Sequence, residues 1–273
     1  MGPDIIFLGN LVVVAGVMVV LWVVSLVVHD ASIVDLFWGL AFVVIVWAQY
    51  IPAFMWAGPA CLPEQCETPY PPAAALLVPI LVTIWGVRLS AYLAWRNLGK
   101  GEDYRYVRMR ERAGPRFPLI SLFSVFLLQA FLAWVVSLPA QAATTVDIEA
   151  TSPLVIAGIA LWAVGLFFET VGDLQLARFK RDPASKGQVL DRGLWRYTRH
   201  PNYFGDFCVW WGIFLIAAST GAWWTVIGPI VMSLLLIRVS GAGLLESTIG
   251  ERRPGYAEYI RRTSAFFPRP PSD

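Results

Sequence analysis

Charged side chains are scarce in this sequence, and those that occur are clustered. Lys, Arg, Asp and Glu make up 15% of the 273 residues, whereas hydrophobic residues make up 57%. Soluble domains are usually about 45–50% apolar, so this composition argues against an ordinary soluble protein. The net charge of +2 is too small to indicate a nucleic-acid partner. The mean hydropathy of +0.61 instead favours a protein that lies in a lipid bilayer.

Residues that could bind a metal ion are also few. The sequence has three cysteines, of which Cys61 and Cys66 lie in a proline-rich segment and Cys208 lies in an apolar one. Its two histidines, His29 and His200, are far apart, and it has no CxxC pair. A structural zinc site needs a Cys/His cluster with ligand spacing, so we expect no metal site. The spacing of Cys61 and Cys66 leaves a disulfide between them open.

Long apolar runs dominate the rest of the sequence. About seven of them reach, or nearly reach, the ~20 residues that a helix needs to cross a bilayer. They predict transmembrane helices at 5–28, 32–51, 74–95, 117–138, 153–174, 204–218 and 223–238, followed by a tail at 239–273. No repeat or long linker divides the chain. We therefore predict an all-α membrane protein with a single domain over residues 1–273.

The positions of Lys and Arg predict the orientation of these helices. Basic residues crowd the segments 96–116 and 178–199 and the tail, whereas 58–73 and 139–152 contain acidic residues but no Lys or Arg. Cytoplasmic loops carry an excess of basic residues. An odd number of spans places every basic segment on one side. The prediction is therefore an N-terminus outside and a C-terminus in the cytoplasm.

Several acidic residues fall within or at the ends of the predicted spans. Asp35 opens the second helix, and Glu169 and Asp173 share one face of the fifth. Asp206 opens the sixth helix, and Glu246 follows the seventh. Charges at these places are costly in lipid, so they form interhelical ion pairs or line a polar cavity. Because all of them lie near the predicted cytoplasmic side, we favour a cavity that opens to the cytoplasm.

Three clusters of basic, aromatic and small residues lie on that same side. They read GKGEDYRY at 99–106, RGLWRYTRHPNYFGD at 192–206 and RRPGYAEYIRRTSAFFP at 252–268. Arginines close to a helix N-terminus can hold a phosphate group. The alternatives are a basic loop on anionic lipid and an amphipathic tail at the interface. Binding to anionic lipid needs only positive charge, so it does not explain why Asn202 and Asp206 occur in this cluster. We therefore favour a ligand site. No strand precedes GKGEDYRY, which argues against a P-loop or Rossmann motif.

These three clusters resemble a bacterial membrane family that is grouped with the steroid 5α-reductases. The likeness covers the chain from about residue 35 to residue 268. It implies seven helices, NADPH bound from the cytoplasmic side of the inner membrane, and reduction of a conjugated enone in a lipophilic substrate such as a 3-oxo-4-ene steroid. In those reductases a Glu on helix two and a Tyr on helix three hold the substrate's carbonyl oxygen. Asp35 and Tyr92 are the nearest equivalents, which makes Tyr92 the predicted hydrogen-bond donor to the charged carbonyl oxygen and Asp35 its support.

The same resemblance implies a set of residues that bind the cofactor. These residues lie in three regions. The regions are the end of the fifth helix, the start of the sixth helix with the segment before it, and the end of the seventh helix with the tail. The set is Glu169, Asp173, Arg178, Lys180, Arg181, Tyr197, Arg199, His200, Asn202, Tyr203, Asp206, Arg238, Glu246, Tyr256, Tyr259 and Arg262. Asp206 stands where the reductases have Glu, and Glu246 stands where they have tyrosine.

Two other function classes fit part of the pattern. The Arg-His-Pro-x-Tyr-x-Gly string at 199–205 also resembles membrane methyltransferases that use S-adenosylmethionine on isoprenylcysteine or phospholipid headgroups. Those enzymes commonly have paired glutamates after the last helix, whereas Glu246 is followed by Ser247. A lipid-binding or transport protein without enzymatic activity is the third class. The sequence does not indicate whether the protein is a monomer or an oligomer.

Overall fold

The computed structural model describes residues 3–60, 73–144, 146–239 and 255–271. These residues are mainly helical, and they contain no β-strand. The helices are α1 (Pro3–Val28), α2 (Ile33–Ala60), α3 (Leu77–Asn97), α4 (Tyr104–Ala113), α5 (Phe117–Ser121), α6 (Leu128–Val136), α7 (Leu138–Ala143), α8 (Pro153–Arg181), α9 (Pro201–Ser219), α10 (Ile227–Leu234) and α11 (Tyr256–Arg262). A π-helical turn, Leu122–Leu127, joins α5 to α6, and another, Leu235–Val239, follows α10.

The fold confirms the prediction of an all-α membrane protein. Five helical stretches are long and apolar enough to cross a bilayer, namely Ile5–Val28, Ile33–Met55, Ala73–Asn97, Tyr104–Val136 and Pro153–Arg181. Helix α9 and the shorter apolar stretch Trp223–Arg238 occupy the other two predicted spans. The count of seven spans and their orientation stay predictions.

Three helical segments differ from their predicted bounds, and the first is α2, which continues to Ala60 instead of ending at 51. Helix α8 continues to Arg181 instead of ending at 174, because Lys and Arg form helices well and are favourable near a helix C-terminus. The segment 96–116 was predicted as a basic loop but contains α4. The side chain of Asp103 caps this helix by accepting a hydrogen bond from the backbone N–H of Arg105. Gly114, with a φ of 53°, follows its last residue.

The helices cluster into two compact units. The first comprises Met1–Ala150 with Thr220–Thr225, and the second comprises Thr151–Ser219 with Val226–Asp273. The first unit therefore contains α1 to α7, and the second contains α8 to α11. The interpretation of the chain as a single domain stays a prediction.

A buried amide network ties together the helices of the first unit. Asn10 Nδ2 donates to Gln49 Oε1 at 2.8 Å and to Gln141 Oε1 at 3.0 Å, which links α1, α2 and α7. Gln49 Nε2 in turn donates to the backbone oxygen of Gln141 at 2.8 Å. Interhelical hydrogen bonds of this kind hold membrane helices together, where lipid offers buried polar groups no other partner.

Glycines allow the backbones of α8 and α9 to touch in the second unit. A Cβ atom at Gly165 would lie 2.5 Å from the backbone oxygen of Gly205, and one at Gly158 would lie 2.7 Å from that of Gly212. Small residues at regular spacing bring membrane helices into this close contact. A Cβ atom at Gly205 would lie 2.5 Å from the backbone nitrogen of Glu169. The acidic part of α8 is therefore fixed against the first turns of α9.

Candidate functional site

Buried acidic residues of α8 face the start of α9 in the second unit. Glu169 and Asp173 are 3% and 4% exposed, and Asp206 on α9 is 9% exposed. Asn202 Nδ2 donates to Asp173 Oδ1 at 3.2 Å. The structure thus brings together Asp173 and Asn202, two residues of the predicted cofactor set. Buried carboxylates within a membrane protein are expensive, and they commonly mark functional sites.

The segment before α9 is fastened to α8 by two hydrogen bonds. The backbone N–H of Leu194 donates to Gln175 Oε1 at 3.0 Å, and Trp195 Nε1 donates to the backbone oxygen of Gly172 at 3.1 Å. Gly193 precedes these two residues with a φ of +63°, and a Cβ atom there would be 2.5 Å from Gln175 Nε2. Glycine is favoured at this position because its positive φ is strained for residues with a side chain.

Arg199 joins this segment to the C-terminal helix α11. Its guanidinium is buried, and its Nη1 donates to the backbone oxygens of Ile260 at 3.0 Å and Thr263 at 2.8 Å. Thr198 Oγ1 adds a bond of 2.8 Å to the backbone oxygen of Phe266. Carbonyl groups at a helix C-terminus lack partners within the helix, so Arg199 caps α11. Arg199 was predicted to bind the cofactor, and the contacts seen for it anchor the tail.

Aromatic residues of the predicted cofactor set are packed around the same segment. The rings of His200 and Tyr203 stack at 5.3 Å with an interplanar angle of 7°. Tyr259 Oη donates to the backbone oxygen of Trp195 at 2.6 Å, and its ring lies 5.9 Å from that of Tyr256. These contacts fix α11 beside the segment that precedes α9.

Two pockets open beside this framework, and Arg192 and Gly193 line both. The first has a volume of about 420 Å³ and is lined by Gln175, Arg178, Phe179, Asp182, Leu190, Arg192 and Gly193. The second has a volume of about 690 Å³ and is lined by Gly187, Gln188, Val189, Asp191, Arg192, Gly193, Arg196, Gly255, Glu258, Tyr259, Arg262, Thr263 and Pro271. Arg192 and Arg196 were not predicted as site residues, although both belong to the basic cluster at 192–206.

The other described residues of the predicted cofactor set do not line these pockets. Lys180 and Arg181 are exposed at the end of α8, and Arg238 is exposed in the π-helical turn after α10. Tyr197 is 44% exposed, and its backbone oxygen accepts a hydrogen bond from Arg269. Glu246 lies outside the described residues. The structure therefore places Lys180, Arg181, Tyr197 and Arg238 outside the linings of both pockets.

Asp35 makes its contacts with α4 in the first unit. Tyr106 Oη donates to Asp35 Oδ1 at 2.8 Å, and Arg105 Nη2 donates to Asp35 Oδ2 at 2.6 Å. The predicted donor, Tyr92, has its ring 5.8 Å from the guanidinium of Arg88 and 5.7 Å from that of Arg96. The support of Tyr92 by Asp35 stays a prediction. The sequence-based prediction did not include Tyr106. An acidic residue in a span, such as Asp35, usually has a polar partner, and GKGEDYRY contains candidates for that partner.

The GKGEDYRY segment is docked by further polar contacts within the first unit. Glu102 accepts bonds from Arg110 Nη2 and from the backbone N–H of Ala31, both at 2.8 Å. Partial burial alone would raise the pKa of Asp103, but hydrogen bonds from the side chain and backbone of Arg105 lower it below its ordinary value. Asp103 therefore remains ionised as the cap of α4.

The fold and these contacts define an all-α membrane protein whose second unit combines a buried carboxylate, bonded to a half-buried amide, with arginine-lined pockets. The chain belongs to the family DUF1295, which is described as a protein of unknown function and whose model matches residues 21–263. The matched range includes every described residue of the predicted sites.

Curated relatives place this family beside the steroid 5α-reductases, as the sequence predicted. An uncharacterised protein of Schizosaccharomyces pombe is 26% identical over 71% of the chain and 63% of its own length. The 3-oxo-5-alpha-steroid 4-dehydrogenase 1 of Rattus norvegicus is 32% identical over 46% of the chain and 49% of its own length. A probable O-methyltransferase of Ustilaginoidea virens is 37% identical over 22% of the chain and 20% of its own length. The chain thus spans less than two thirds of these relatives. No solved structure matches the chain.

Proposed function

We propose that this protein is an NADPH-dependent reductase that reduces the conjugated C=C bond of a lipophilic enone. The observation that carries the proposal is the second unit, in which Asn202 bonds to the buried Asp173 on α8, the helix that also lines the first arginine-bearing pocket. The similarity to the rat steroid dehydrogenase supports the same reaction class. The substrate we propose is a flat, lipophilic ketone such as a 3-oxo-4-ene steroid.

The residues of the second unit fit the chemical groups of NADPH. The cofactor carries phosphates, ribose hydroxyls and a carboxamide. Guanidinium groups bind phosphate oxygens through charged hydrogen bonds, and Arg178 offers one in the first pocket. The carboxylate of Asp173 and the amide of Asn202 can bind hydroxyl or carboxamide groups. We therefore assign binding of the phosphates that NADPH shares with NADH to Arg178, and polar recognition to Asp173 and Asn202.

Tyr92 is the residue to which we assign stabilisation of the reacting carbonyl. NADPH, when bound, would supply a hydride to the β-carbon of the enone, and water would supply the proton that completes the reduction at the α-carbon. Negative charge then develops on the carbonyl oxygen, and a hydroxyl donor lowers the barrier most when it binds that charge. The nearby guanidinium groups of Arg88 and Arg96 favour negative charge close to Tyr92. Both oxygens of Asp35 already hold Arg105 and Tyr106, so we assign Asp35 the role of positioning α4.

NADPH should raise the melting temperature of the detergent-solubilised protein. A ligand that binds only the folded state stabilises it by about 2.7 kcal/mol at one hundred times its Kd. Thermal unfolding with and without NADPH measures this effect. Asn202→Ala should lose most of the shift because it removes the amide that contacts Asp173. An unchanged melting temperature for the wild type at millimolar NADPH would contradict the proposal.

A methyltransferase is the second candidate, because the chain also resembles the probable O-methyltransferase over 59 residues. This function requires S-adenosylmethionine in place of NADPH. The same unfolding experiment separates the two candidates. Stabilisation by S-adenosylmethionine without stabilisation by NADPH would favour the methyltransferase.

We also propose that the basic segments face the cytoplasm across a bacterial inner membrane. Asp147 and Lys186 are both exposed residues, and they fall on opposite sides in the predicted topology. In a variant that lacks Cys61, Cys66 and Cys208, Asp147→Cys should react with an impermeant maleimide on intact cells. Lys186→Cys should react only after the membrane is permeabilised. Labelling of both positions from the same side would refute the topology.

A further inference from the structure

The second pocket concentrates positive charge that no other part of the proposed mechanism uses. Three of the residues that line it are arginines, namely Arg192, Arg196 and Arg262. Two acidic residues, Asp191 and Glu258, also line it. Its volume of about 690 Å³ lies within the ~300–1,000 Å³ that is typical of small-molecule sites. The pocket is therefore large enough for part of a nucleotide.

These arginines are available to a ligand. In the part of the chain that the structure describes, the side chains of Arg192 and Arg196 make no hydrogen bond or ion pair. Arg262 Nη1 lies 3.8 Å from Glu258 Oε1, and these side chains are 52% and 60% exposed. Exposed pairs at such distances contribute little free energy. A bound anion could thus form an ion pair with Arg262, because breaking the contact with Glu258 would cost little free energy.

The walls of the pocket are held in place before any ligand binds. Tyr259 Oη donates to the backbone oxygen of Trp195 at 2.6 Å, which ties α11 to the residue beside Arg196. The indole of Trp195 is itself bonded to the backbone of Gly172 on α8. Preorganised walls lower the entropy that a ligand must lose on binding. Arg196 and Arg262 thus project from two elements whose separation is fixed.

We infer that Arg192, Arg196 and Arg262 bind the 2′-phosphate of NADPH and select NADPH over NADH. A phosphate monoester carries a charge of about −1.5 to −2 at pH 7, which suits a group of guanidiniums better than the singly charged phosphates of a diester. Tyr259 lines the same pocket and offers an aromatic surface on which an adenine ring can stack. The inference rests on the proposed function and adds Arg192 and Arg196 to the predicted cofactor set.

The test compares the affinities of the solubilised full-length protein for NADPH and NADH. The variants are Arg192→Ala, Arg196→Ala and Arg262→Ala, and the matched control is Arg261→Ala. Arg261 is the exposed neighbour of Arg262 and does not line the pocket. Each pocket variant should weaken NADPH binding by about 10-fold to 100-fold, the effect expected for a charged hydrogen bond. NADH affinity should change by less than about 2-fold, because NADH lacks the phosphate.

A second probe, adenosine 2′,5′-bisphosphate, carries the 2′-phosphate without the nicotinamide. It should displace NADPH from the wild type and from Arg261→Ala, and it should lose this ability in Arg192→Ala/Arg196→Ala. Melting temperatures without ligand should match the wild type, since these side chains are exposed. If a variant unfolds, Arg→Gln at the same position repeats the measurement.

The outcomes separate this inference from the proposed function. A wild type that prefers NADPH, with variants that keep the full preference, would overturn the inference alone. Equal weakening of NADPH and NADH would also overturn it. A wild type that binds neither nucleotide would overturn the proposed function and the inference with it. A lipid headgroup offers the same phosphate chemistry. If the substitutions abolish binding to phosphatidylglycerol nanodiscs but leave the NADPH preference intact, the pocket is a headgroup site and the inference fails.

Discussion

Gly165→Ala should strongly destabilise the second unit. Its Cβ atom would lie 2.5 Å from the backbone oxygen of Gly205 and 2.6 Å from the backbone nitrogen of Val209. Both neighbours are backbone atoms, so relief requires the separation of α8 from α9. Overpacking of this kind typically costs about 1–3 kcal/mol and sometimes more. The same separation would pull Asn202 away from Asp173, so cofactor affinity should fall as well.

The control for this substitution is Gly16→Ala on α1. A Cβ atom at Gly16 meets nothing within 4 Å, and the residue is likewise within a long apolar helix. The measurements are the melting temperature and the yield of monodisperse protein in detergent. We expect Gly16→Ala to match the wild type, and Gly165→Ala to melt several degrees lower or fail to purify. Equal melting temperatures for the two variants would show that α8 and α9 do not make the contact described.

Tyr92→Phe should lower turnover by about 10²–10³, the usual loss when one donor to a developing oxyanion is removed. The substitution keeps the aromatic ring, so the contacts with Arg88 and Arg96 should survive. The affinity for NADPH should stay level, because the hydroxyl acts on charge that exists only in the transition state. The measurement is single-turnover oxidation of NADPH with a 3-oxo-4-ene steroid as the probe substrate.

Tyr104→Phe is the matched control for Tyr92→Phe. Tyr104 is also a tyrosine beside an arginine, with the guanidinium of Arg108 at 5.5 Å from its ring, and it is exposed. Loss of its hydroxyl should leave turnover unchanged. If Tyr92→Phe also turns over like the wild type while Asn202→Ala abolishes NADPH binding, Tyr92 only packs and the cofactor assignment stands.

The fold class could be predicted from the sequence because its signals are local. Continuous apolar runs show where helices cross lipid, and this holds for α1, α2, α3 and α8 within a few residues at most ends. The basic and aromatic clusters were sufficient to predict the relation to steroid 5α-reductases, which the comparisons confirm. The helix at 104–113 was missed because its charged residues resemble a loop in a hydropathy pattern.

The partners of the charged side chains could not be predicted in this way. Arg192, Arg196 and Arg199 are all basic and close together in the sequence, so the sequence alone does not distinguish their roles. The tertiary structure separates them, because Arg199 is buried against backbone oxygens at 260 and 263 whereas the other two line a pocket. The same holds for Asp35, whose partners Arg105 and Tyr106 lie about seventy residues away.

Local sequence therefore determined that this chain is a helical membrane protein and which residues carry its charge. Hydropathy and charge are properties of single residues and short windows, so they are visible before folding. Only the tertiary structure decided which charges are neutralised and which remain available to a ligand. That difference depends on contacts between helices, such as the approach of α8 to α9 at Gly165 and Gly205, which bring distant residues within hydrogen-bonding distance.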